Sequence, residues 1–224
     1  MKKILLVIAL CFSWVAQAAV IIDLYGDSTQ LGAELVDGVY ISTAKPPSAV
    51  LQDRMDAEFG PGSVVVRNKA LGGTTVAQQY FGQAPYTRTW AAEMAASNAN
   101  IVIDNHGIND AFLSYMRPAD YLWVQNTMSA VAQAKGKKYY IQTPFPINNP
   151  AQAKLTTFVN AAHAGPLVAG TKILYIHNIV SADWSYWAQQ MPDGIHPNAE
   201  LYRYAGDRMF YTLQPVVKTM LGRP

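Results

Sequence analysis

Short apolar runs alternate with longer segments of helical periodicity from residue 19 onward. Five of the runs are rich in β-branched or aromatic residues, which predicts buried strands. The predicted strands cover residues 19–25, 63–67, 101–105, 138–142 and 173–176. Because their apolar residues are consecutive rather than alternating, these strands are typical of a parallel sheet that is covered on both faces.

The segments between the strands have the spacing of amphipathic helices. In one of them, for example, Val50, Leu51 and Met55 fall on a single helical face. Helices are predicted over residues 48–59, 74–80, 90–97, 118–134, 151–168 and 199–221, the last with a break near Pro215. Strands that alternate with helices predict a three-layer α/β/α sandwich.

Three polar or flexible residues lie just beyond predicted strands. Ser28, Gly73 and Asn109 each follow a strand or lie in the loop that leaves one. Functional groups of α/β folds lie beyond the carboxyl ends of the strands. We therefore expect these three residues to converge on one edge of the sheet.

The first eighteen residues have the pattern of a secretory signal peptide. A basic start at Lys2 and Lys3 precedes an apolar run over residues 4–15, and Ala16-Gln17-Ala18 fits the cleavage pattern. The run is too short to predict a membrane span. We therefore expect export, to the periplasm or to the medium, and a single folded domain over residues 19–224.

Composition excludes several classes of protein once this leader is set aside. Removing Lys2 and Lys3 from the 17 basic residues leaves 15, which equals the 15 acidic residues, so nucleic acid is not an expected partner. The one cysteine, Cys11, lies in the leader, which excludes a thiol nucleophile, a thiolate metal site and a disulfide from the remainder. A lipid anchor on Cys11 is an alternative, although Leu10 stands where such an anchor needs a small residue. The sequence carries no signal for an oligomeric state.

Two segments that are distant in sequence contain the residue types of a hydrolytic triad. Ser28 follows the first strand at a Gly-Asp turn, and Asp193 precedes His196 by three residues. An aspartate at that spacing can hold the imidazole in one tautomer while the other ring nitrogen takes the proton of a serine. Each segment alone has a plainer interpretation, since Ser28 can cap a helix and Asp193 can form a turn.

An ester hydrolase also needs donors for the oxyanion that forms when a carbonyl is attacked. Asn109 offers a side-chain amide, and Gly72-Gly73 offers backbone N–H groups. The plainer interpretations are a helix cap for Asn109 and a turn for the glycines. His106 is the chief rival of His196 as the base, but no aspartate stands at the same spacing beside it. We interpret His106 as a structural residue or as one that lies near the substrate.

Taken together, four short segments resemble a known family. They are Gly26-Asp27-Ser28-Thr29, Gly72-Gly73-Thr74-Thr75, Gly107-Ile108-Asn109-Asp110 and Asp193-Gly194-Ile195-His196-Pro197. In this order they resemble the SGNH hydrolases, also called GDSL esterases and lipases, from the first strand to the last helix. The sequence departs from the family's nickname at Thr29, where the nickname has leucine. The resemblance implies a flavodoxin-like sheet of five parallel strands.

The resemblance also implies a role for each residue that matches. Ser28 would be the nucleophile, His196 the base and Asp193 its orienting acid. The backbone N–H groups of Ser28 and Gly73 and the amide of Asn109 would form the oxyanion hole, with the preceding glycine as an alternative donor. No metal or organic cofactor is expected, since the chain has neither a glycine-rich phosphate loop nor a metal-binding histidine cluster.

The substrate is indicated only indirectly. Trp184 and Trp187 precede Asp193, and aromatic rings beside a site can stack on sugars or pack against an acyl chain. With Asp27 and His106, they are the candidate substrate-binding residues. The sequence favours short acyl esters, such as acetyl esters, on a carbohydrate or cell-envelope polymer. The alternatives are a lipase, lysophospholipase or thioesterase, an acyltransferase on the same triad, and a non-catalytic carbohydrate-binding module.

Overall fold

The computed structural model describes residues 18–113 and 115–223. Cys11 and all but the last residue of the predicted leader lie outside this range. The described chain contains seven strands: β1 (Val20–Gly26), β2 (Ala33–Val36), β3 (Val39–Ser42), β4 (Val64–Asn68), β5 (Ile101–Asn105), β6 (Lys138–Gln142) and β7 (Lys172–Leu174). Strands β2 and β3 form an antiparallel hairpin that is separate from the main sheet.

The other five strands form one parallel sheet in the order β4-β1-β5-β6-β7. The chain pairs β4 on one side of β1 and then continues on the other side through β5, β6 and β7. This is the flavodoxin-like order, in which the strands on either side of β1 leave a crevice at their carboxyl ends. The prediction of a five-stranded parallel sheet in an α/β/α sandwich is confirmed.

The part of the chain that is described contains ten α-helices. They are α1 (Ser28–Leu31), α2 (Pro47–Phe59), α3 (Val76–Phe81), α4 (Trp90–Ala96), α5 (Ile108–Phe112), α6 (Pro118–Ala134), α7 (Gln152–Ala164), α8 (Ile176–Ser181), α9 (Trp184–Trp187) and α10 (Ala199–Met220). A short 3-10 helix follows α9 at Ala188–Gln190. Across these residues, every helix is too short or too polar to cross a membrane.

The central strands β1, β5 and β6 of the main sheet are buried on both faces, which explains their continuous apolar runs. Successive side chains of a strand point to opposite faces. In β5, Ile101 and Ile103 pack into a cluster with α2 and α10, whereas Val102 packs on the other side with α4, α6 and α7. Each face of the sheet therefore has its own apolar core. For this reason the strands have runs of apolar residues rather than an alternation of apolar and polar residues.

The closing helix corrects one expectation, because α10 is continuous through Pro215. Proline removes one backbone N–H donor, here the one that would bond to the carbonyl of Tyr211. Tyr211 lies on the exposed face of the helix, while Leu213 and Val217 on either side of the proline are buried in the core. Packing of the buried face holds the two halves together, so the predicted break is wrong.

Candidate active site

The turn after β1 presents Ser28 at the carboxyl edge of the sheet. Gly26 has a φ of 152°, and a Cβ there would come within 2.8 Å of the Gln30 Cβ, so the close turn requires glycine. Asp27 caps α1, because its Oδ1 accepts a hydrogen bond of 2.9 Å from the Thr29 backbone N–H. Ser28 is then the first residue of α1.

Asp193 and His196 lie in the loop before α10. Gly194 has a φ of 76°, and a Cβ there would lie 2.8 Å from the Asn148 carbonyl oxygen, so this close contact requires glycine. The Asp193 Oδ1 accepts hydrogen bonds from the backbone N–H groups of Ile195 (2.9 Å) and His196 (2.7 Å). The carboxylate is thereby fixed in the loop that also carries the imidazole.

The three side chains of the predicted triad lie together. The Asp193 Oδ2 is 2.6 Å from His196 Nδ1, and His196 Nε2 is 2.9 Å from the Ser28 Oγ. With hydrogen on Nδ1, the imidazole donates to the carboxylate and accepts from the serine hydroxyl. Burial raises the pKa of Asp193, but hydrogen bonds from His196 and Ile195 outweigh it and lower this pKa to about 2. Asp193 is therefore ionised at neutral pH.

Tyr40 is a further member of this cluster that the sequence did not reveal. Its hydroxyl donates a hydrogen bond of 3.0 Å to the Asp193 Oδ2, and its ring lies edge-on to the His196 ring at 5.2 Å. Tyr40 belongs to the β2–β3 hairpin. The signal for that hairpin was the Asp37-Gly38 pair between apolar residues, which is typical of a two-residue turn.

Gly73 and Asn109 lie on the wall of the same cavity as Ser28 and His196. This cavity has a volume of about 370 Å³. Gly73 has a φ of 73°, and its Cα faces open space. The Asn109 amide donates one hydrogen bond of 3.0 Å to the Thr74 carbonyl, which orients the side chain and leaves its second amide hydrogen for another acceptor. Backbone and side-chain donors can thus face an oxygen atom above Ser28.

Beneath these donors is a buried polar cluster centred on His106. Its Nδ1 lies 2.8 Å from the Asp104 Oδ1, and its Nε2 lies 3.1 Å from the hydroxyl oxygens of both Thr74 and Tyr86. Burial lowers the pKa of His106, but the nearby carboxylates, with Asp104 the strongest, raise it overall. His106 is fully buried and contacts the hydroxyl of Thr74, the residue whose carbonyl accepts from the Asn109 amide.

None of the four candidate substrate-binding residues lines the cavity at Ser28. Asp27 and His106 are fully buried, so neither side chain has surface to offer a substrate. Trp187 is 9% exposed and packs between Tyr186 and Tyr204. Trp184 lines a different cavity, beside α8 and the loop that follows β6. We therefore correct the expectation for Asp27 and His106, whereas substrate contact by Trp184 and Trp187 stays a prediction.

Comparisons with known proteins identify the family. The model of the GDSL-like Lipase/Acylhydrolase family matches residues 24–204, a range that contains all the cavity residues described above. No curated protein sequence matches the chain.

Several solved structures share the fold. An alpha/beta hydrolase enzyme from the metagenome of Lake Arreo, Spain, is 18% identical, with a TM-score of 0.64 over 92% of this chain and 96% of that chain. The lipase/acylhydrolase from Enterococcus faecalis is 18% identical, with a TM-score of 0.66 over 88% and 96%. An acetylxylan esterase from Geobacillus stearothermophilus is 14% identical, with a TM-score of 0.60 over 93% and 97%. At such identities the likeness concerns the fold.

Proposed function

The chain belongs to the GDSL-like Lipase/Acylhydrolase family of ester-hydrolysing enzymes, and on that premise we propose that it is a serine esterase. Ser28 is the nucleophile, His196 the general base and Asp193 its orienting acid. The observation that carries the proposal is the unbroken line of contacts from Asp193 through His196 to Ser28, at 2.6 and 2.9 Å. The Ser28 hydroxyl ends this line at the wall of a cavity that a substrate can enter.

The reaction proceeds in two steps of acyl transfer. The Ser28 Oγ attacks the ester carbonyl while His196 Nε2 takes the hydroxyl proton, and the oxyanion accepts hydrogen bonds from Gly73 and Asn109. The C–O bond to the alcohol breaks, and the alcohol leaves with the proton from His196. Water then loses a proton to His196 and attacks the acyl-enzyme, which releases the acid and returns the proton to Ser28.

The lining of the cavity favours a substrate ester with a small acyl group and a polar alcohol. Around Ser28 its wall is largely apolar, with Ala33, Ile108, Phe112 and Ile195. A second cavity of about 460 Å³ meets it at Gly73, Asn109 and Phe112, and is lined by more polar residues that include Thr75, Gln78 and Gln83. We place the acyl group in the first cavity and the hydroxyl groups of a carbohydrate in the second. An acetylated glycan fits this division.

We further propose that the protein is exported. The basic start, apolar run and small-residue pattern of residues 1–18 support this proposal. Expression with the native leader, followed by N-terminal sequencing of the secreted or periplasmic protein, tests it. A mature chain that starts at Ala19 is the expected result, and a chain that keeps its leader in the cytoplasm contradicts it.

Ester hydrolysis and active-site labelling test the esterase proposal. The mature protein is assayed on p-nitrophenyl acetate, butyrate and octanoate, and on acetylated xylan with release of acetate as the readout. Ser28→Ala should abolish hydrolysis, whereas the exposed Ser185→Ala should match the wild type. A fluorophosphonate should add its mass to the peptide that contains Ser28. Wild-type rates in Ser28→Ala would remove Ser28 as the nucleophile, and rates that rise with chain length would favour a lipase over an acetylesterase.

A further inference from the structure

The β2–β3 hairpin is held to the body of the protein at its base. The Ala199 backbone N–H donates to the Glu34 Oε1 at 3.2 Å, and the Tyr202 hydroxyl donates to the Ala33 carbonyl. Both anchors are on β2. Strand β3 is exposed along its whole length and, among the described residues, pairs with β2 alone. A contact between strand β3 and the triad is therefore made by a side chain of β3 rather than by its backbone pairing.

Tyr40 on β3 is that side chain, and it reaches the triad. Its hydroxyl shares the Asp193 Oδ2 with His196 Nδ1, at 3.0 and 2.6 Å respectively. The hydrogen bond to Asp193 raises the pKa of Tyr40, which keeps the phenol protonated and able to donate at neutral pH. Counting the two backbone donors on Oδ1, the carboxylate accepts four hydrogen bonds.

We propose that Tyr40 is a positioning residue of the esterase, which acts on His196 through Asp193. A carboxylate held on only one oxygen by backbone donors can still turn its second oxygen out of the imidazole plane. The Tyr40 hydroxyl holds that second oxygen, and the edge of its ring limits the tilt of the imidazole. The hairpin thus completes the geometry in which His196 Nε2 faces Ser28.

This inference rests on the proposed function, and one set of variants separates the two. Tyr40→Phe keeps the ring and removes the hydroxyl, and Tyr211→Phe makes the same change on the exposed face of α10. With p-nitrophenyl acetate, we expect kcat of Tyr40→Phe to fall about threefold to tenfold, in keeping with the loss of one exposed hydrogen bond to a charged group. KM should stay near the wild-type value, because the ring that borders the cavity is kept. Tyr211→Phe should match the wild type throughout.

The decisive measurement is a double-mutant cycle with Asp193→Asn. If Tyr40 acts through Asp193, Tyr40→Phe should have no further effect on kcat in that background. Tyr40 also lines the cavity at Ser28. An effect that persists in the Asp193→Asn background, or one that appears only in KM, would show that Tyr40 acts as cavity wall rather than through Asp193, and would overturn the inference. Wild-type kinetics in Tyr40→Phe would overturn it as well. Activity that survives Ser28→Ala would instead overturn the proposed function itself.

Discussion

The molecule contains two histidine–aspartate pairs that are nearly the same in their contacts and opposite in their surroundings. In both, a carboxylate meets Nδ1, at 2.6 Å in His196 and 2.8 Å in His106. In both, Nε2 faces a hydroxyl oxygen, that of Ser28 at 2.9 Å or that of Thr74 at 3.1 Å. The first pair borders a cavity, whereas the side chains of the second pair have no exposed surface. The same arrangement of side chains can therefore be suited to catalysis or to stabilising the fold, and its access to substrate decides between the two.

The largest expected effect comes from removing the histidine that borders the cavity. His196→Ala should lower kcat for p-nitrophenyl acetate about 10⁴-fold or more, because a triad without its base retains only binding and the oxyanion donors. The midpoint of thermal unfolding should change little, since this side chain is partly exposed in a loop. A variant that kept a tenth of the wild-type rate would show that His196 is not the base.

Removing the buried histidine should have the reverse effect, a large loss of stability and a small loss of rate. His106→Ala leaves the Asp104 carboxylate buried with Gln125 as its remaining side-chain donor, and should lower the free energy of unfolding by about 3–5 kcal/mol. Urea unfolding measures this change, and kcat per folded molecule should fall far less than in His196→Ala. Adding Asp104→Asn removes the stranded charge and should recover part of the stability. A loss of rate as large as that of His196→Ala would contradict the supporting role.

Asn109 lies between the two regions. It borders the cavity, and its amide donates to the carbonyl of Thr74, whose hydroxyl contacts His106. Asn109→Ala should lower kcat about 100-fold with little change in KM, as expected for a donor that acts on the oxyanion. The exposed Asn178→Ala on α8 is the matched control. An unchanged kcat, measured on p-nitrophenyl acetate, would remove Asn109 from the oxyanion hole.

The last expected effect is a pH dependence of stability that has opposite sign in the two regions. Burial raises the pKa of Asp110, beside His106, to about 7, so its contribution to stability is present below pH 3.8 and is lost as the pH rises toward 7. The pKa of Asp193 is lowered to about 2, so its contribution is present above pH 3.8 and is lost as the pH falls toward 2. Asp110→Asn should flatten the stability profile between pH 4 and 7. Urea unfolding across that range checks it, and an unaltered slope would contradict the assignment.

The parallel sheet was predictable because its central strands are buried on both faces and so have continuous apolar runs. The hairpin was missed because Val39 and Ile41 are apolar but exposed, which conceals the alternation of a surface strand. The pairing of His106 with Asp104 was within reach, since residues two apart at the end of a strand lie on the same face.

Other contacts have no local signal in the sequence. Tyr40 and Asp193 are 153 positions apart, and their hydrogen bond depends on how the hairpin is anchored to α10. The spacing of the four family segments predicted which residues would meet at the sheet edge. The sequence could not show that Trp187 would be packed between other rings, because an aromatic residue near a site is equally suited to the core.

The separation of Ser28 from His196 has a consequence for biosynthesis. The two residues are 168 positions apart, and the loop that carries His196 is followed directly by α10, which packs along α2. Contacts of such long range form after the local helices and strands, because closing the intervening loop costs entropy. A nascent chain therefore contains Ser28 long before His196 is synthesised. In the proposed mechanism hydrolysis requires the contact of Ser28 with His196, so the appearance of activity would report that this long-range contact has formed.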